Sequence, residues 1–241
     1  MQYLFSQAED RFQLRDWGGY LCFLATADSA DARKFGVTAI VRMDQLIHDP
    51  HVHDDSDEIF YVLRGHGKQL LRNPDGTDTV YDIAPGDTVY LTKNRWHGTS
   101  NFSDSEQLDM LLINYFYDGQ SSPAIRGVVP AGSVPCEQTA FGSRERVLTP
   151  ARCGTEDVRG EVLTILPGKT LVGRVEASEM FFFVVSGEAV SAVPEARLRR
   201  ARSCSCSGAT NIRSKTAANS QSGCSASART MRRTENGGKT R

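Results

Sequence analysis

Between His51 and Glu58 the chain reads HVHDDSDE, which brings two imidazoles and a carboxylate into one short stretch. Imidazole nitrogens and carboxylate oxygens are the donors that first-row divalent metals accept. In an extended chain, side chains two apart share a face, so His51 and His53 project together and Val52 projects oppositely. That pair is half of a chelate. Asp54 to Asp57 is a polar, turn-like run, and Glu58 then enters at the mouth of IFYVL, a strand rich in aromatic and β-branched residues. A site of this kind needs three or four protein donors. His97, in NRWHGTSN, supplies the fourth best. Three imidazoles and one carboxylate leave positions open on the ion, where substrate oxygens can bind and a carbonyl or enol can be polarised. The set tolerates Fe, Mn, Ni, Co or Zn, so the expected cofactor is one divalent metal ion.

These residues need a scaffold of paired strands. Gly65 and Gly67 flank His66 and let the chain turn into GKQLLR, a hairpin partner for IFYVL. Pro85-Gly86-Asp87 makes a second turn, DTVYLT is the strand after it, and His97 follows. Residues 36–44, GVTAIVRMD, alternate as a barrel strand does, and Pro74 to Asp78 is a hairpin turn before TVYDI. Residues 106–116, EQLDMLLINYF, read as a long buried strand that closes the barrel. Residues 1–35 offer a strand or two packed onto it. Strands at this spacing, about 8–12 residues, predict an all-β barrel or sandwich.

His51, His53, Glu58 and Gly65 resemble the first motif of the cupin superfamily, and Gly86, His97 and Asn101 resemble its second. The resemblance spans residues 36–116. Where the family usually has proline and glycine ahead of the second-motif histidine, this chain has Thr92 and Asn94, which bears on loop shape more than on metal binding. The resemblance implies an all-β, antiparallel, jelly-roll-like barrel whose interior holds one divalent metal on His51, His53, Glu58 and His97. It also implies a catalytic part for Glu58, which would leave the metal transiently to act as base.

The rest of the chain divides into unlike pieces. Residues 1–117 are the expected metal-bearing barrel and 118–155, with scattered glycine, proline and serine, a connecting segment. Residues 156–193 repeat the first rhythm: with Gly187 set on Gly65, FFFVVSG falls over IFYVLRG and Met180 over Glu58. Gly173 and Val175 then fall where His51 and His53 stand. A partial second cupin without metal ligands is the expectation. Residues 194–241 are rich in Ser, Arg, Ala and Thr and are expected to be a disordered, basic tail. The abrupt change suggests a shifted reading frame or a truncation in place of the rest of the second unit.

Charge follows the same division. The chain carries 28 Lys and Arg against 29 Asp and Glu; from Glu195 to Arg241 the balance is 11 against 2, leaving 17 against 27 before it. A mildly acidic body thus bears a cationic tail, which predicts no specific nucleic-acid partner, since Cys204, Cys206 and Cys224 lack a fourth spaced ligand and no aromatic accompanies them. No apolar run is long enough for a membrane helix and no secretory signal opens the chain, so a cytoplasmic protein is expected. Six irregularly spaced cysteines do not outline a disulfide framework. A small-molecule substrate is the expected partner, with homo-oligomerisation through barrel edges.

Other polar residues near the motif have plainer readings. His48 and His66 read as solvated loop histidines, and Asp54, Asp55 and Asp57 as an acidic bend in solvent. Phe60 and Val62 share the face of Glu58 and read as core. Asn114 and Tyr115 alternate faces, so at most one points inward. Trp96 either covers the mouth or packs outside. Two functions follow. One is an enzyme acting on a hydroxylated aromatic, a polyketide or a sugar-derived acid by dioxygenation, isomerisation or cyclisation; the alternative is a non-catalytic, metal-stabilised binding module. No helix-turn-helix pattern precedes the motif.

Overall fold

Runs of β-branched and aromatic residues punctuated by Gly, Pro and Asp form strands almost throughout. The computed structural model describes residues 3–7, 11–26, 34–117, 127–173, 180–192, 195–199, 202–206 and 210–213. The first part contains β1 (Tyr3–Gln7), β2 (Gln13–Leu14), β3 (Tyr20–Thr26), β4 (Val37–Met43), β5 (Leu46–Ile47), β6 (Ser56–Arg64), β7 (Gly67–Arg72) and β8 (Asp78–Ile83). It continues with β9 (Thr88–Leu91), β10 (His97–Asn101), β11 (Leu108–Phe116) and β12 (Val128–Val129). Two sheets result, one in the order β12-β9-β6-β11-β4-β3-β2 and one in the order β5-β10-β7-β8. Every pairing is antiparallel.

Met43, Val62, Leu71, Leu91, Leu108 and Met110 meet between these sheets and are almost wholly buried. Each contributes about 1.5–3 kcal/mol relative to exposure. The larger sheet is also covered behind. Ile59, Tyr90 and Tyr115 pack there against Val147, Leu148 and Val158, while Cys22, Ile40 and Leu111 pack near Phe181 and Phe183. A sheet buried on both faces has no polar face to alternate with, which is why β6 and β11 read as nearly continuous apolar runs. Gly65 closes the β6–β7 turn at φ +79°, and a Cβ there would lie 2.1 Å from the Gln107 carbonyl oxygen. Only glycine fits.

The later part contains β13 (Cys136–Thr139), β14 (Gly142–Leu148), the one-turn helix α1 (Pro150–Cys153), β15 (Gly160–Ile165), β16 (Thr170–Gly173), β17 (Met180–Phe183) and β18 (Glu188–Ala192). β19 (Glu195–Arg199), β20 (Arg202–Cys206) and β21 (Thr210–Arg213) follow. The connecting segment is therefore more regular than its composition suggests. Its glycines and prolines punctuate short strands, and Val147 and Leu148 of β14 anchor it behind the larger sheet.

The tail differs from expectation too, because three strands lie within residues 195–213. Main-chain donors and acceptors pair whatever the side chains are. β20, whose SCSC run does alternate, sits between β1 and β17, with Cys204 opposite Phe5 on one side and Phe182 on the other. Residues 214–241 lie outside the described residues. The order β16-β21-β18-β19 repeats β5-β10-β7-β8, and β17 pairs with β20 as β6 pairs with β9. Among the described residues no helix is long and apolar enough to cross a membrane.

Candidate metal centre

His97 opens β10 and forms a main-chain bridge with His51. The His51 N–H donates to the His97 carbonyl at 2.9 Å, and the His97 N–H donates back at 3.0 Å. Their rings consequently lie 4.6 Å apart, centroid to centroid. The Nδ1 of His51 is 2.9 Å from the Asp49 carbonyl oxygen, and the Nδ1 of His97 is 2.8 Å from that of Arg95. A carbonyl can only accept, so each Nδ1 carries the proton and each Nε2 keeps its lone pair.

Glu58 joins them from the start of β6. Its Oε1 is 3.2 Å from His53 Nε2 and its Oε2 is 3.1 Å from His97 Nε2. These pairs are close but not aligned as hydrogen bonds: His53 Nε2, Glu58 Oε2 and His97 Nε2 are all buried without a hydrogen-bond partner. One donor atom from each of His51, His53, Glu58 and His97 lies within 4.8 Å of the other three. Donors about 2.0–2.2 Å from a shared centre stand no more than about 4.4 Å apart, so a small inward shift brings all four onto one ion. The four residues therefore fit a divalent ion, and an ion is what the orphaned lone pairs lack.

The electrostatics agree. Burial pushes the Glu58 carboxyl up, but the His53 and His97 imidazoles beside it more than reverse this and hold it well below the usual carboxylate range. Burial pushes His51 down, so its ring stays neutral, as a ligand must be. Glu58 beside it pushes His53 up, because the carboxylate stabilises the protonated ring.

The four residues singled out as ligands thus come together. Others fall differently. His48 is half-buried rather than free in a loop: its ring sits 4.4 Å from that of His51 and 4.4 Å from that of Trp17. Nothing in its local sequence signals this, since Trp17 arrives from the β2–β3 turn. His66 is exposed and faces Glu106 at 3.0 Å. Asp54 and Asp55 are exposed, whereas Asp57 is buried, which overturns its reading as part of a solvated bend. Its signal was its place in β6, on the face opposite Glu58. Phe60 and Val62 join the core between the sheets.

Of the Asn114–Tyr115 pair, Asn114 stands opposite Glu58 across the β11–β6 ladder and Tyr115 packs behind the sheet. The Nδ2 of Asn114 lies 3.4 Å from Ser56 Oγ, so a polar pair flanks the carboxylate. Trp96 is 44 % exposed and packs outside, with the Arg72 guanidinium 5.7 Å from its ring centre. Asn101 staples the β10–β11 connection, donating to the carbonyls of Met43 at 3.1 Å and Glu106 at 2.7 Å. Gln69 and Thr99 went unnoticed in the sequence. They form a buried hydrogen bond of 2.8 Å between β7 and β10, close to His97.

A family model described as a cupin domain matches residues 41–114. No curated protein sequence matches the chain significantly. Solved structures share the fold at low identity. A glyoxylate-induced protein of Pseudomonas aeruginosa superposes with a TM-score of 0.72 at 14 % identity, over 88 % of this chain and 84 % of that one. The oxalate decarboxylase of Lactobacillus farciminis, solved with formate, gives 0.67 at 11 % identity, over 88 % and 82 %. The pirin YhhW of Escherichia coli, solved with nickel(II), gives 0.65 at 15 % identity, over 89 % and 94 %. At these identities the likeness is one of fold.

Proposed function

We propose that this chain, whose residues 41–114 match a cupin domain and whose fold is that of cupins, is a metal-dependent enzyme acting on a small oxygenated substrate. The substrate class is a hydroxylated aromatic, a polyketide or a sugar-derived acid, transformed by dioxygenation, isomerisation or cyclisation. The observation that carries this reading is the set of buried, unpartnered donor atoms on His53, Glu58 and His97, gathered with His51 within 4.8 Å. Structural proteins rarely leave such atoms unsatisfied. The nickel(II) of the similarly folded pirin and the formate of the decarboxylase are properties of those proteins, and they agree with a divalent metal and a small oxygenated ligand here.

His51, His53, Glu58 and His97 would hold the ion, which when bound supplies Lewis acidity toward substrate oxygens. The Asp49 and Arg95 carbonyls orient two of the rings. Asn114 and Ser56, on the face of Glu58, offer neutral polar contacts to a substrate at the mouth. The packed interior beneath them excludes water. Glu58 is ionised and acceptor-only, which suits a metal ligand; to act as base it would first have to leave the ion and the two imidazoles that hold its proton affinity down.

The repeated strand order supports reading the later half as a second cupin unit. Gly173 lies opposite Thr210 as His51 lies opposite His97, and Met180 opposite Cys206 as Glu58 lies opposite Leu91. Gly173, Thr210 and Met180, at the positions of His51, His97 and Glu58, offer no imidazole or carboxylate to an ion.

Elemental mass spectrometry on untagged protein tests the main reading. We expect about one equivalent of Fe, Mn, Ni, Co or Zn, lost in His97→Ala, with turnover lost alongside it; metal in neither protein would overturn it. Ligand binding without turnover in the loaded wild type would favour the alternative of a metal-stabilised, non-catalytic module.

A further inference from the structure

Behind Glu58, on the other face of β6, lies a second carboxylate that the proposed chemistry does not use. Asp57 is 2 % exposed. Its Oδ2 accepts from the Tyr90 hydroxyl, and its Oδ1 accepts from the Tyr117 hydroxyl at 2.9 Å and from the Lys93 main-chain N–H at 2.9 Å. The Lys93 side chain folds back over the Tyr117 ring, 4.1 Å from its centre, and donates to the Tyr117 carbonyl at 3.2 Å. Three donors thus converge on one buried carboxylate from β9, from the chain after β11 and from the loop between β9 and β10.

That loop, Thr92 to Trp96, touches the metal centre at each step. The Lys93 N–H is fixed by Asp57. The next residue, Asn94, has φ +61°, and its N–H donates to the His53 carbonyl at 2.6 Å. The Arg95 carbonyl then takes the Nδ1 proton of His97 at 2.8 Å. One five-residue loop therefore locates His53, orients His97 and is itself bound to the residue beside Glu58. A left-handed non-glycine residue is strained and persists only where the surroundings impose it. Asp57 supplies that constraint immediately before Asn94.

We propose that Asp57 is a positioning residue of the metal centre: by holding Lys93 from the reverse face of β6, it sets the loop that places His53 and His97 around Glu58. The inference rests on the reading of His51, His53, Glu58 and His97 as a metal site. A buried carboxylate is a costly way to fill space. Its three donors all come from elements next to β6, so it fixes geometry where an apolar residue would fix only volume.

Cobalt(II) titration of the full chain, with a competing chelator to give Kd and the visible absorption band to report ligand geometry, tests this. Asp57→Asn should weaken cobalt binding about 10–100-fold, the range for outer-shell residues, and shift the band. Tyr117→Phe should move both in the same direction by less. Asp109→Asn, which breaks the Arg42 ion pair on β11, should lower the melting temperature with wild-type Kd and band. A folded Asp57→Asn with wild-type Kd and band overturns the proposal, as does an equal effect in Asp109→Asn. Should Asp57→Asn fail to fold, Tyr117→Phe decides: a weakened Kd supports the proposal and an unchanged one overturns it. A wild type that binds no cobalt overturns the metal reading itself.

Discussion

His51 and His97 each place Nδ1 against the carbonyl of the residue two before it. The same local geometry thus presents two Nε2 atoms to one point. His48 has no such role, yet burial, and next the neighbouring His51, push its ring down to about 4. Its linkage sign follows directly. Between pH 4 and 6.5 the unfolded chain binds the proton that the fold refuses, so stability falls as pH drops through this window and levels off below it. Burial of His51 adds to the trend in the same direction. The share of His48 is about 1–2 kcal/mol, reduced from the full shift because the ring is only partly buried. In metal-free protein, melting temperature should fall from pH 6.5 to pH 4, and fall less in His48→Phe. Equal slopes for the two proteins would remove His48 from the account.

At the scale of elements, β6 does two things at once. Its period of two puts Glu58 toward the metal centre and Asp57 toward the back of the sheet. The turn that follows it depends on Gly65. Gly65→Ala should cost about 2 kcal/mol or more in denaturant unfolding, since the positive φ and the contact with Gln107 both oppose a Cβ. Asn94→Gly is the opposite case, because glycine adopts φ +61° freely. That variant should keep the metal and stay within about 1 kcal/mol of wild type, whereas Asn94→Val should lose more than about 1 kcal/mol and weaken metal binding.

The departure from the family pattern at Asn94 was legible in the sequence as a matter of turn shape, because Asn is the non-glycine residue that best tolerates a left-handed backbone. Asp57 was not legible. A run of aspartates looks like a solvated bend, and the hydroxyls that bury this one come from Tyr90 and Tyr117, 33 and 60 residues away.

Among the described residues, one strand order occurs twice and the donor set once. Gly173, Met180 and Thr210 occupy the register positions of His51, Glu58 and His97. Metal analysis should therefore give about one ion per chain rather than two. Chelation should lower the melting temperature, since an ion at 100 times its Kd stabilises the fold by about 2.7 kcal/mol. A stoichiometry of two would mean that the second half finds donors outside these positions.

The sequence by itself determined most of the strands and turns of the first part and the His51, His53 and Glu58 donors, because these are local: period two, turn residues and short spacings act within about ten residues. His97, by contrast, was reached through the resemblance of its own, more distant motif. The sequence also carried a similarity of rhythm between the stretches ending at Gly65 and Gly187, in which Met180 falls over Glu58. Tertiary structure decided what depends on distant partners. Pairing across the ladders brought Asn114 beside Glu58 and sent Tyr115 behind the sheet. It set Trp17 against His48, and it gave β19, β20 and β21 main-chain partners that their composition does not announce. Hydrogen bonds and burial between segments far apart in the chain leave no periodic trace in either segment, so only the fold shows them.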